Sequence, residues 1–252
     1  MSLRAHPGYM PAMDLLLVCA AGLFAGTISG VVGTGSSIIL VPILVISFGP
    51  QQAVPIMAIA ALMANISRIL AWPREVEWRA AGVYAATAAP AAALGAGTLL
   101  VLPARFVDAF LGVFFIAMIG IRHWLAAHSL TARLPHLAVF GAPIGFLTGI
   151  VASTGPLSVP LFLAYGLVKG AFLSTEAAGA LAVYVSKTAV FRGLGALPLL
   201  VILQGLIVGA SLMVGTFVAK PFVRRLGPHH FRWMMDGIML ISGITLLWTA
   251  FR

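Results

Sequence analysis

Residues 26–32 read GTISGVV, and residues 145–151, which lie 119 positions later, read GFLTGIV. Both glycines of each copy match, and Ser29 in the first copy stands opposite Thr148 in the second. Each copy is followed by a cluster of small residues and then by a short apolar stretch that contains a proline, Pro42 in the first and Pro160 in the second. This self-similarity predicts an internal duplication. The predicted repeats are residues 1–128 and residues 129–252.

The composition around these copies is that of a membrane protein. Hydrophobic residues make up 61% of the chain and charged residues 8%, with a mean hydropathy of +1.08. Soluble domains carry about 25% charged residues, so this chain cannot cover a water-facing surface. Crossing a hydrocarbon core of ~30 Å takes about 20 helical residues. Eight apolar runs have that length or nearly so: 13–32, 52–72, 80–101, 106–124, 137–152, 172–191, 197–218 and 233–251.

Two further apolar stretches, 38–48 and 157–168, are too short to cross alone. If only the eight long runs cross, loop Lys and Arg divide seven against six. If the short stretches also carry the chain across, the division is nine against four, which obeys the positive-inside rule better. We therefore predict an all-α polytopic membrane protein with eight long helices and two short segments that form broken helices. Five segments per half, an odd number, would make the repeats inverted, with both termini outside.

The clusters after the two copies interrupt otherwise apolar sequence. Glycine disfavours a helix interior by about 1 kcal/mol relative to alanine, so these clusters predict breaks. A helix that restarts there directs free N–H groups and a positive dipole end into the break, which suits an anion. Alternatively, the glycines only allow close helix packing. The candidate substrate-binding residues are Gly33, Thr34, Gly35, Ser36 and Ser37 in the first cluster and Ser153, Thr154 and Gly155, followed by Pro156, in the second.

Two cations lie at equivalent positions within apolar runs, Arg68 and Lys187, each after a serine. An intramembrane cation costs about 2.5–3.5 kcal/mol at the helix centre and usually marks function. We predict that both provide positive charge for an anionic substrate, and that Asn65 and Tyr184, one turn earlier in each copy, add polar contacts. The alternative is that both cations snorkel to lipid headgroups.

Acidic residues are scarce, and none forms a pair deep in an apolar run. Asp108 and Asp236 are expected to pair locally with Arg105 and Arg232. For Glu176 the sequence leaves two roles open, a helix-dipole partner or a proton carrier, and the first is favoured.

Several function classes are not supported. The histidines lie near loops, and the adjacent His229 and His230 do not have the spacing of a helical metal site, so neither a metal nor a cofactor is expected. The same distribution argues against an intramembrane serine protease, since that enzyme needs a deep histidine. The net charge of +9 comes from short loops without an aromatic platform, which fits anionic lipid and not nucleic acid.

The duplicated glycine cluster, followed by an apolar run to Val41-Pro42 and again to Val159-Pro160, resembles the TauE/SafE family of sulfite-exporter-like permeases. Nearly the whole chain takes part in the resemblance. Here hydroxyl residues replace several of the family's consecutive glycines. The resemblance implies a bacterial inner-membrane transporter for sulfur-containing anions such as sulfite, sulfonates or related organic acids.

These observations predict a secondary transporter for small anions that is not an enzyme and that works by alternating access around a midplane site. Its partners would be the anionic substrate and the lipid bilayer. No ATP-binding segment is recognisable, so the energy would come from the substrate gradient, a coupling proton or ion, or a partner protein. The alternatives are a passive anion channel and a membrane scaffold.

Overall fold

The structure is a computed structural model that describes residues 12–32, 36–127, 131–151 and 154–222, and positions 236–237, 240–241, 243–244, 247–248 and 250–251. All regular secondary structure among these residues is helical, as the sequence predicts. The described ranges up to residue 222 form α1 (Ala12–Val32), α2 (Ser36–Phe48), α3 (Pro50–Ala71), α4 (Trp78–Val101), α5 (Ala104–Ala127), α6 (Leu134–Ile150), α7 (Gly155–Ala164), α8 (Lys169–Gly193) and α9 (Leu199–Phe222).

The helix ends lie within four residues of the predicted ones, for the short stretches as well as the long ones. The described positions from 236 onwards are also helical and lie in the last predicted run. Three helical segments among the described residues have the length and hydropathy needed to cross a bilayer, namely Gln52–Ala71, Trp78–Val101 and Leu199–Val218. Their length and composition are those of a membrane protein.

The second predicted interruption is confirmed within the described residues, whereas the first falls on residues 33–35, which lie outside them. α1 ends at Val32 and α2 begins at Ser36, while α6 ends at Ile150 and α7 begins at Gly155. After α6 the backbone of Val151 is extended, at φ −92° and ψ 166°, so the helix does not continue. The 13 residues of α2 and the 10 residues of α7 correspond to only ~20 Å and ~15 Å of helix. Each is therefore shorter than the hydrocarbon core.

The main helix contacts join the two halves of the chain and occur in equivalent pairs. α1 packs on α9 as α6 packs on α4, and α3 packs on α9 as α8 packs on α4. In each comparison the second contact follows from the first when helices α1 and α3 are replaced by α6 and α8, five positions later, and α9 by α4, five positions earlier. Between the halves, α3 also packs on α8.

Glycines produce the closest of these contacts. A Cβ atom added to Gly26 in α1 would overlap the backbone oxygen of Leu212 in α9, and one added to Gly145 in α6 would overlap that of Ala88 in α4. Gly26 and Gly145 are the first residues of the two sequence copies. The packing role considered for the glycines therefore applies to these positions, where small residues let backbones approach.

Candidate functional site

The N-terminal ends of the two short helices, α2 and α7, line one cavity. Helices α1, α3, α4, α6 and α8 complete its wall, and the space open to the centres of water-sized molecules is about 30 Å³. Seven of the residues predicted from the sequence line this cavity: Ser36, Ser37, Asn65, Arg68, Thr154, Gly155 and Tyr184.

Four other predicted residues, Gly33, Thr34, Gly35 and Ser153, lie outside the described residues. They adjoin described residues that line the cavity, since Ser36 follows the first three and Thr154 follows Ser153.

Arg68 forms an ion pair in the cavity wall. Its Nη1 donates a 2.7 Å hydrogen bond to Oε2 of Glu176 in α8, and its Nη2 donates to Oδ1 of Asn65 one turn earlier in α3. The Asn65 Nδ2 in turn donates to the Ala61 carbonyl at 2.8 Å, which fixes the orientation of the amide. Arg68 is only 7% exposed and Glu176 only 4%. This burial does not agree with the alternative in which Arg68 snorkels to headgroups.

Glu176 also lines the cavity. It is the eighth residue of α8, past the first turn. Its second oxygen, Oε1, accepts a 3.0 Å hydrogen bond from Oγ of Ser158 in α7. The favoured sequence interpretation, a partner of the helix dipole, is wrong because the carboxylate is directed at Arg68 and Ser158. The other role that the sequence left open, proton carrier, is considered below.

Two hydroxyl groups connect α6 and α7 across the second interruption. The side chains of Thr148, at the end of α6, and Thr154, before α7, hydrogen bond to each other. Thr148 Oγ1 also donates to the Ile144 carbonyl at 2.7 Å. Thr154 precedes α7 without a side-chain cap on its N–H groups, and Pro156 lies in the first turn as the sequence predicts. The hydroxyls thus hold the two helix ends together and leave the start of α7 on the cavity.

The cavity wall carries positive helix ends and hydroxyl groups beside an ion pair. The formal charges of Arg68 and Glu176 offset each other within their ion pair. The amino-terminal ends of two helices remain, each equivalent to about half a positive charge. Ser36 and Ser37 begin α2 with side chains that are nearly buried and lie on the cavity. Hydroxyl donors and two positive helix ends are the groups that bind sulfate, phosphate and carboxylate in proteins.

Lys187 lies elsewhere, although the sequence predicts that it belongs to the site. Its side chain is fully buried, so it does not reach lipid either. Nζ donates to the carbonyl oxygens of Thr148 and, at 2.7 Å, of Val151. These are carbonyls of the α6 C-terminal turn, where the negative end of the helix dipole attracts a cation. Lys187 therefore stabilises the end of α6 that forms part of the cavity wall, and it does not line the cavity itself.

We expect Lys187→Met to lower the free energy of unfolding by about 3 kcal/mol, since charge-assisted hydrogen bonds contribute about 1.5–3 kcal/mol each and two buried carbonyls lose their donor. Thermal unfolding of the purified protein in detergent measures this loss. The control is Arg192→Met in the same helix, because Arg192 is exposed and bonds only to the Leu197 carbonyl at 3.0 Å. Equal losses in the two variants would contradict the supporting role of Lys187.

Five polar residues of the cavity were not predicted as its lining: Ser29, Tyr84, Thr148, Ser158 and Glu176. Ser29 and Thr148 are equivalent hydroxyls in the two sequence copies, so the similarity of the copies could have identified them as candidates. Glu176 lies within an apolar run, where an unpaired carboxylate is costly and a partner is expected. Nothing in the sequence places Tyr84 here, since its position depends on how α4 packs on α8.

The other predicted ion pairs fall partly outside the described residues. Asp236 accepts a hydrogen bond from His123 Nε2 in α5 at 2.8 Å, whereas its predicted partner Arg232 is not described. Arg105 lies over the ring of Phe251, 5.7 Å from the centroid.

Comparison with known proteins gives one match. The model of the sulfite exporter TauE/SafE family matches residues 18–246, a span that includes every residue lining the cavity. No curated protein and no solved structure matches the chain. Members of this family are membrane transporters and not enzymes. Because the match covers nearly the whole sequence, the chain belongs to the TauE/SafE family of sulfite exporters.

Proposed function

We propose that this protein is a multi-pass inner-membrane secondary transporter for small sulfur-containing anions, such as sulfite or sulfonates, and that the anion binds in the cavity between α2 and α7. The observation that carries the proposal is that the short helices α2 and α7 both begin at the same cavity as the buried Arg68. Transporters commonly bind an anionic group at the N-terminus of a discontinuous helix.

The donor groups fit an oxyanion of sulfur. The planar guanidinium of Arg68 can bind two oxygens of a sulfonate or sulfite at once. Ser36, Ser37 and Ser158 carry hydroxyls at the same cavity, and the two helix ends favour negative charge. Membership in the sulfite exporter family supports this class of substrate.

The arrangement of helices supports a carrier with inverted repeats. Exchanging helices by a shift of five reproduces the main contacts of α1, α3, α4, α6, α8 and α9. A repeat of five crossing segments reverses its orientation in the membrane, because five is odd. The division of loop cations, nine against four, supports the same ten-segment topology. The helices α1, α3 and α9 can then rock as one group against the group of α4, α6 and α8, which exposes the cavity to each side in turn.

Transport by purified protein in liposomes tests this function. We expect saturable uptake of radiolabelled sulfite that is accelerated when unlabelled sulfite is loaded inside, because a carrier returns faster when it is occupied. Liposomes without protein provide the background. Uptake that neither saturates nor responds to internal sulfite would indicate a passive channel, and uptake at the background rate would contradict transport of sulfite.

A further inference from the structure

Arg68, the cation expected to bind the substrate, already forms an ion pair with a carboxylate. Arg68 Nη1 lies 2.7 Å from Glu176 Oε2, and both side chains are buried. An anion that enters the cavity therefore meets a guanidinium that another anion occupies. Two neighbouring negative charges cannot both stay ionised at low cost in such a site, since like charges there disfavour each other's charged form.

We propose that Glu176 couples transport to protons: the substrate anion displaces its carboxylate from Arg68, and Glu176 takes up one proton from water as the anion binds. This inference rests on the proposed function of the cavity. The proton adds to a carboxylate oxygen to give a neutral carboxylic acid, and it returns to water when the anion leaves and Glu176 pairs with Arg68 again. Anion and proton then cross together.

Among the described ionisable groups near the cavity, Glu176 is the one that can accept this proton. The neighbouring helices present these ionisable groups among the described residues: Arg68 from α3, Tyr84 from α4, and Tyr184 and Lys187 from α8 itself. α7 contributes the hydroxyl of Ser158, and the ionisable residue of α6, His136, lies at its far end. A guanidinium and a neutral phenol have no proton to gain. The Lys187 ammonium donates to the carbonyls of Thr148 and Val151, and its side chain does not line the cavity.

The hydrogen bonds of Glu176 suit such an exchange. Arg68 donates to one carboxylate oxygen and Ser158 to the other. A hydroxyl can donate or accept by rotating. Ser158 can therefore donate to the carboxylate in the empty state and accept from the carboxylic acid in the loaded state. Arg68 keeps Asn65 as a fixed partner throughout, so the guanidinium remains oriented toward the cavity.

The test uses methanesulfonate, whose single charge is constant across the working pH range, with the full-length protein in detergent. Isothermal titration calorimetry in buffers of different ionisation enthalpy counts the protons taken up per anion. We expect an uptake that approaches about one proton per anion, and an affinity that falls by up to about tenfold for each pH unit of increase while Glu176 is ionised. Glu176→Gln should bind methanesulfonate with no proton uptake and no such pH dependence, and Glu176→Asp should retain both.

The control is Glu77→Gln, which removes an exposed carboxylate that makes no side-chain cap on α4 and should leave proton uptake unchanged. Binding to the unmodified protein without proton uptake overturns the coupling and leaves the proposed anion site intact. Proton uptake that persists in Glu176→Gln overturns the assignment to Glu176. If the unmodified protein binds neither methanesulfonate nor sulfite, the proposed function fails and the coupling fails with it.

Discussion

Arg68→Met is expected to abolish sulfite transport in liposomes and to lower the free energy of unfolding by about 3–5 kcal/mol, the usual effect of removing one partner of a buried ion pair. Transport is lost because the cavity loses the cation that binds the anion. Stability is lost because Glu176 keeps its burial but loses the 2.7 Å contact that compensates its charge. Radiolabelled uptake and thermal unfolding in detergent measure the two effects separately.

The double variant Arg68→Met/Glu176→Gln separates the site from the fold. Removing the second charge should restore most of the lost stability, since replacing both members of a buried ion pair is often nearly neutral. Transport should stay absent, because the anion still lacks its cation. Arg79→Met is the matched control, since Arg79 is exposed at the start of α4. Wild-type uptake by either Arg68 variant would remove Arg68 from the site.

The second large effect is expected at the glycine contact between α4 and α6. Gly145→Val should prevent accumulation of folded protein or lower the free energy of unfolding by about 3 kcal/mol, the upper part of the usual cost of overpacking. The added side chain meets the backbone of Ala88, which cannot move aside as a side chain would. The yield of monodisperse protein in size-exclusion chromatography and thermal unfolding measure the effect.

Gly97→Ala in α4 is the control for this prediction. Nothing lies within 4 Å of a Cβ atom at Gly97, so the substitution adds a methyl group in open space. Its expected effect is a gain of up to about 1 kcal/mol, because alanine favours a helix over glycine. A Gly145→Val protein as stable as the Gly97→Ala protein would show that the close approach of α4 and α6 does not matter for folding.

The helices themselves could be predicted closely because local signals define them. Apolar run length places the long helices, and the glycine and hydroxyl clusters place the ends of α2 and α7. Asn65 and Arg68 could be assigned to a polar site because an amide and a cation within an apolar run require partners. None of these inferences needs knowledge of which helices are neighbours.

The partners in the site depend on packing and were harder to predict. Glu176 lies 108 positions from Arg68, and only the contact between α3 and α8 brings the two together. Lys187 matches Arg68 in sequence position, yet it bonds to the α6 carbonyls behind the wall. At the same offset of 119 residues, Met57 stands where Glu176 stands later in the chain, so the two cations meet different surroundings. The sequence similarity at this offset therefore predicted helix positions better than it predicted the partners of charged groups.

The glycine contacts described above also determine where this molecule can deform. Backbone touches backbone between α1 and α9 and between α4 and α6, so no rotatable group can accommodate sliding there. Each of these pairs is expected to behave as a rigid body. α3 and α8 meet through long side chains instead, including Arg68 and Glu176. Shear between rigid bodies would then concentrate at the α3–α8 boundary, where the cargo itself is proposed to exchange the bonds that hold that boundary together.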